Sequence, residues 1–189
     1  MEKQIICLIG TSTSGKSSVV RMLLDKHIIL NDIYVVKQTT CRNRRADDDN
    51  DIINIMPQEE FEKQEFVCKT GIYGTLKSDF AKFYNSNCNI CIMTVGTSDL
   101  VQIRKFISDN NLCCKLNSIC LRLTNNNDIT EEQEALERNM RRFFKPEEIK
   151  QRKEVQFKLI RDYFCNTEFL SQNIDLVLDQ KHIHYVDIF

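Results

Sequence analysis

The feature that most restricts what this chain can fold into is short. Gly10-Thr11-Ser12-Thr13-Ser14-Gly15-Lys16-Ser17 follows the apolar run from Lys3 to Ile9 and leads into a helical pattern. It matches GxxxxGK[ST] in full. With glycine near 7% of residues in ordinary proteins, a chance match somewhere in a chain of 189 residues is on the order of one in a hundred. A strand that enters a glycine loop and leaves as a helix aims successive backbone N–H groups at one point. The positive end of the helix backs them, and phosphate is the ligand that suits such a cradle. Gly10, Thr11, Ser12, Thr13, Ser14, Gly15, Lys16, Ser17 and Ser18 are therefore the candidate ATP-binding residues. Lys16 is expected to reach the β- and γ-phosphates, and the Ser17 hydroxyl to ligate Mg²⁺.

Periodicity extends the pattern. Ser18 to His27 carries Val19, Val20, Leu23 and Leu24 at helical spacing, and Ile33 to Val36 is a β-branched run. Gln38 to about Asn87 is irregular and polar. Regular order resumes with a strand over Ile90 to Val95 and a helix capped by Ser98 and running through Ile107. A strand follows over Ile119 to Leu123, then a helix over Thr130 to Phe144 opened by a capping box of Thr130 with Gln133. Pro146 suits the first turn of the next helix, which runs to about Phe164 and turns Val155, Leu159, Ile160, Tyr163 and Phe164 toward a core. Leu176 to Leu178 reads as the last strand. Alternating strands and helices predict an α/β fold with a parallel sheet covered on both faces. Only five glycines and two prolines oppose a turn-dense all-β chain.

Charge and cysteine usage narrow the class. Twenty-six basic and 27 acidic side chains leave a net charge of −1, which argues against a broadly basic nucleic-acid binder. No apolar run approaches the roughly 20 residues that span a bilayer, and the N-terminus lacks a signal-peptide layout. A cytoplasmic protein with no membrane partner is expected. Nine cysteines form an odd set, and Cys7, Cys91 and Cys120 lie inside apolar runs, as reduced thiols acting as small hydrophobes do. Cys88-Asn89-Ile90-Cys91 is one CxxC, Cys113 and Cys114 are adjacent, and His27, His182 and His184 supply no zinc-finger spacing.

A second cluster lies beyond the second strand: Thr39-Thr40-Cys41-Arg42-Asn43-Arg44-Arg45-Ala46-Asp47-Asp48. Paired guanidiniums bind phosphate oxygens bidentately, so the loop suits a second phosphate. An ion-paired surface loop explains the same residues, since Asp47, Asp48 and Asp49 follow directly.

With these segments in order, the chain resembles the guanylate kinase family. The resemblance rests on the phosphate loop, on Arg42, Arg45 and Asp48 at the spacing of T-T-R-x-x-R-x-x-E, and on Gly71-Ile72-Tyr73-Gly74-Thr75. It rests also on Leu136-Glu137-Arg138-Asn139-Met140-Arg141-Arg142 with Glu148 to Arg152, and on the Ile174 to Leu178 strand. It implies a P-loop kinase of three α/β/α layers, with an inserted acceptor-binding subdomain and a helical lid. One domain would then span 1–189, with core segments 1–37, 88–128 and 153–189, the insert over 38–87 and the lid over 129–152. The resemblance implies transfer of the ATP γ-phosphate to a nucleoside monophosphate, with GMP the default acceptor and Mg²⁺ the metal. Arg42, Arg45 and Tyr73 would hold the acceptor phosphate and Thr75 would face its base. Lys16, Arg138, Arg142 and Arg152 would carry catalysis. Taken in isolation, the last three arginines read better as a solvated helix face with i,i+4 glutamate partners; with the phosphate loop and the basic cluster beside them, the lid reading prevails.

The chain departs from the family at definite positions. Gln38 stands where a guanine-reading serine is expected, and Cys68 where a base-reading glutamate is expected. The strand that would end in aspartates reads Ile92-Met93-Thr94-Val95-Gly96, with Asp99 close by, and the expected phosphate-binding tyrosine is replaced near Ile53. A thiol does not accept two hydrogen bonds from a guanine edge as a carboxylate does. A catalytically impaired interaction module on the same fold, a kinase for a different small phosphorylated acceptor, and a nucleotide-dependent switch or hydrolase are the alternatives.

Overall fold

The computed structural model describes residues 2–25, 33–45 and 48–179. The expected end of the first helix at His27 and the histidines His182 and His184 lie outside them. β1 (Lys3–Gly10) is followed by α1 (Lys16–Asp25), β2 (Ile33–Val36), β3 (Gln38–Thr40) and β4 (Ile53–Ile55). Then come α2 (Gln58–Phe61), β5 (Phe66–Thr70), β6 (Tyr73–Leu76), α3 (Lys77–Asn85), β7 (Ile90–Thr94) and α4 (Thr97–Asp109). The order closes with β8 (Cys114–Arg122), α5 (Ile129–Phe143), α6 (Pro146–Leu159), a π-turn over Ile160–Phe164, α7 (Thr167–Asn173) and β9 (Leu176–Asp179).

The central sheet has five strands in the order β2-β7-β1-β8-β9, with β2–β7 and β8–β9 parallel. Helices flank this mostly parallel sheet, an α/β fold of the three-layer kind. Ile5, Cys7, Leu8 and Ile9 are fully or almost fully buried along β1, as a strand covered on both faces requires. A second sheet orders β4-β3-β6-β5, with β3–β4 parallel and β3–β6 and β5–β6 antiparallel. The segment from Gln38 that reads as irregular in sequence thus holds a sheet. Its strands are three to five residues long, too short for alternation to stand out.

The described residues fall in two compact units, one within Met1–Cys7 and Val20–Asn117, the other within Leu8–Val19 and Ser118–Phe189. In the first, Phe61 packs 4.8 Å from Phe66, and Phe80 meets Phe106 edge-on at 5.6 Å. Lys3 Nζ donates to the carbonyls of Ser86 and Cys88 at 2.7 Å each and of Phe83 at 3.4 Å, closing the C-terminal end of α3. In the second, Glu132 is fully buried and its carboxylate accepts from Leu123 N at 2.8 Å, Thr124 N at 2.9 Å and Thr124 Oγ1 at 2.8 Å. That carboxylate fixes the chain where it leaves β8.

Helix starts correct the sequence reading in detail. α4 begins at Thr97 rather than at a Ser98 cap, and Asp99 Oδ2 accepts from Gly96 N at 2.8 Å. α5 is capped two residues before Thr130, where Asp128 Oδ1 accepts from Glu131 N at 2.9 Å. Asp128 wins because a carboxylate is a stronger N-cap acceptor than a threonine hydroxyl and also meets the helix dipole. Ile160 and Phe164 are buried as expected, whereas Val155 is exposed. At 3.6 residues per turn Val155 lies about 140° around the helix from Ile160, so the two do not share a face.

Candidate functional site

Two glycines shape the loop between β1 and α1. A Cβ at Gly10 would stand 2.4 Å from the Leu121 carbonyl oxygen, a contact no side chain tolerates. Gly15 takes φ of 95°, which favours glycine, and Val19 N then donates to Gly15 O at 2.9 Å as α1 begins. Ser14 N donates to Thr11 O at 3.3 Å inside the turn. The result is the tight curl that the sequence spacing predicts.

Polar groups converge within this curl. Lys16 Nζ donates to Thr11 O at 2.7 Å, to Gly10 O at 2.9 Å and, at 3.4 Å, to Ser14 Oγ. The residue as a whole is half-buried, but its ammonium is desolvated, and burial lowers its pKa from 10.5 to about 8. All three partners are uncharged. Thr11 is buried and its Oγ1 finds no partner among the described residues. A desolvated cation with neutral partners and a buried hydroxyl left unpaired fit an anionic, oxygen-rich ligand. Ser17 and Ser18 open α1 and are exposed. Ser12 N donates to Gln156 Oε1 on α6 at 2.8 Å. Sequence spacing carries no hint of Gln156, which lies 144 positions from its partner.

The three arginines of α5 and α6 differ in their surroundings. Arg138 stands 3.8 Å from Glu134, both exposed, in the i,i+4 pairing anticipated for a solvated face. Arg142 is exposed near the end of α5. Arg152 is half-buried and stacks its guanidinium 4.5 Å from the centroid of the Phe144 ring. Lys153 pairs with Glu137, tying α6 to α5.

In the other unit, Arg42, Asp48 and Tyr73 come together. Arg42 Nη1 donates to Asp48 Oδ2 at 2.8 Å, and Nη2 pairs with Oδ1. Arg45 N donates to the same Oδ2 at 2.6 Å. The Arg42 hydrogen bond is the main reason the Asp48 carboxyl drops to about 2. Asp48 in turn raises the Arg42 pKa, with a smaller contribution from a hydrogen bond to Tyr73. Tyr73 sits opposite Thr40 in the β3–β6 pair. The Arg42 Nε is buried without a partner among the described residues. Arg42 therefore has both a carboxylate partner and an N–H still to be satisfied.

Thr75 is buried opposite Cys68 and hydrogen-bonds its thiol, which burial pushes up to about 12. Asp99 is buried nearby in sequence terms to α4's start, and its oxygens are engaged: Oδ1 accepts from Thr70 Oγ1 at 2.6 Å and Oδ2 from Gly96 N. Among the described residues no group of three or more His, Cys, Asp or Glu could hold a metal, and no helix is long and apolar enough to cross a membrane.

No family model matches this chain, and no curated protein matches it in sequence. Solved structures do. A guanylate kinase from Anaplasma phagocytophilum superposes with a TM-score of 0.56 at 14% identity, over 97% of this chain and 79% of its own. APE1195 superposes with a TM-score of 0.41 at 13% identity, over 95% of this chain and 87% of its own, too low a score to bear on the fold. The likeness to the guanylate kinase is one of fold: this chain has a kinase-like α/β architecture.

Proposed function

We propose that the chain transfers the γ-phosphate of ATP to a nucleoside monophosphate, with GMP as default acceptor, giving GDP and ADP. The observation that carries this reading is the Lys16 ammonium, desolvated inside a glycine-framed curl and bonded only to neutral oxygens. Such a cation is costly unless an anion completes the site, and the triphosphate of ATP would do so.

The chemistry asks little of the protein beyond position and charge. An oxygen of the acceptor phosphate attacks the γ-phosphorus, the bond to the β,γ-bridging oxygen breaks, and ADP leaves with that electron pair. The acceptor oxygen is already anionic, so no general base is needed. Lys16 and the loop N–H groups between Gly10 and Ser18, apart from those of Ser12 and Ser14 that Gln156 and the Thr11 carbonyl engage, would hold the β- and γ-phosphates, while Arg138, Arg142 and Arg152 would neutralise the charge that develops. Mg²⁺, held by the exposed Ser17 hydroxyl and the phosphates, would supply charge neutralisation at the same oxygens. Arg42, Arg45 and Tyr73 would clamp the acceptor phosphate, the unpaired Arg42 Nε supplying one donor, and Thr75 would face the base. In this scheme residues 38–87 act as an acceptor-binding insert and 129–152 as a lid of one kinase domain.

An ADP-release assay of the purified protein across GMP, dGMP, AMP, UMP, CMP and small sugar phosphates tests the reading. Turnover with a nucleoside monophosphate is the expected result. Turnover with a sugar phosphate alone transfers the reading to a different phosphorylated acceptor. A second reading, an impaired interaction module, draws on the engaged Asp99 and the absence of a carboxylate at Thr94 and Gly96. Retained ATP binding with no turnover on any acceptor would favour it.

A further inference from the structure

No residue of α6 is fully buried, and its apolar side chains Ile149, Phe157 and Leu159 are half-buried. Polar contacts add to its placement. Lys153 pairs with Glu137, Arg152 stacks on Phe144, and Gln156 accepts the Ser12 amide hydrogen at 2.8 Å. The first two contacts join α6 to α5 and its cap. Gln156 reaches the loop that carries Lys16. Arg152 and Gln156 are four residues apart, hence one above the other on the same helix face.

We propose that Gln156 is a positioning residue: by bonding the Ser12 N–H it holds α6 in the register at which Arg152 faces the phosphates of the bound nucleotide. The inference rests on the nucleotide-transfer reading above. Residue chemistry supports the assignment. The Ser12 donor belongs to a backbone that Gly10 and Gly15 constrain, so it is a fixed point against which a helix can be set. A neutral amide oxygen can accept that hydrogen without placing a negative charge beside phosphates, whereas a carboxylate there would repel them. Phe144 completes the device by holding the plane of the Arg152 guanidinium.

The test is a double-mutant cycle of Gln156→Leu and Arg152→Ala, read by turnover, by calorimetry of Mg·ATP binding and by hydrogen exchange at the Ser12 amide. Gln156→Leu is expected to lower kcat about tenfold with KM for ATP changed less than about twofold, and to speed Ser12 exchange about tenfold or more. On the Arg152→Ala background the same change should lower kcat less than about twofold, because the two residues act as one unit. Gln156→Glu, which keeps the acceptor oxygen, should preserve Ser12 protection while weakening Mg·ATP binding. Additive losses in a wild type that binds and turns over ATP overturn the inference alone, as does unchanged Ser12 protection in Gln156→Leu. A wild type that neither binds Mg·ATP nor turns over overturns the nucleotide reading, and the inference falls with it.

Discussion

Arg42 and Asp48 form a two-point ion pair in which Arg42 Nη1 donates to Asp48 Oδ2 at 2.8 Å while both side chains are nearly buried. The pair joins the two alternatives that the basic loop poses in sequence. It is an ion-paired loop, and it also fixes a guanidinium whose Nε remains to be satisfied. A buried carboxylate that orients an arginine is a means of preorganising it for an anion.

This pairing sets a pH dependence. Asp48 is held at about 2 in the folded chain against an ordinary 3.8. Its stabilisation is therefore complete above about pH 4 and is lost as pH falls through about 2. Asp48→Asn is expected to lower stability by about 2 kcal/mol at pH 7, with the difference from wild type shrinking as pH falls from 4 to 2. Urea unfolding at a series of pH values checks it. A constant difference across that range would refute the assignment.

Arg42→Ala strands Asp48 without its cation and, under the proposed transfer reaction, removes a contact to the acceptor phosphate. Acceptor kcat/KM should fall about a hundredfold or more, while the Kd for Mg·ATP changes less than about threefold. Equal losses in both would remove Arg42 from the acceptor site.

Lys16 titrates in the same sense at higher pH, although here the charged form is the one the fold disfavours. With its pKa lowered to about 8, the folded chain gives up this proton before the unfolded chain does, so stability from this group rises with pH between about 8 and 10.5. Lys16→Met should abolish that rise and leave Tm at pH 7 no lower than wild type, since it removes a desolvated charge. Phosphate binding would hold the ammonium charged, so tripolyphosphate binding at pH 8.5 should take up about half a proton or more. Calorimetry in buffers of different ionisation enthalpy measures that uptake.

Lys3 and Glu132 are tests of the scaffold. Lys3→Met leaves three carbonyls at the end of α3 without their cationic donor, and about 1–3 kcal/mol of stability should be lost. Glu132→Ala uncaps the buried Leu123 amide and the half-buried Thr124 amide after β8 and should cost roughly 3 kcal/mol. Thermal and chemical denaturation report both losses.

Much of this was legible in the sequence. The Gly10–Ser17 spacing implies the curl, because only glycine tolerates the 2.4 Å approach at Gly10 and the positive φ at Gly15. Apolar runs mark β1 and β7, and Pro146 marks the start of α6. These are local constraints, carried by backbone sterics and by burial along a single element. Pairings between distant positions needed the tertiary structure. Strands of three or four residues in the second sheet exist because neighbouring strands satisfy their backbone groups, which no short window reveals. Asp99 ties itself to Thr70, Gln156 reaches Ser12, and Arg152 finds Phe144, each through a contact set by packing. The sequence determined that a lysine would stand in a glycine-framed loop; the tertiary structure decided that its ammonium is desolvated there and which groups meet it, since burial and hydrogen bonds depend on where atoms come to rest and not on how far apart they lie along the chain.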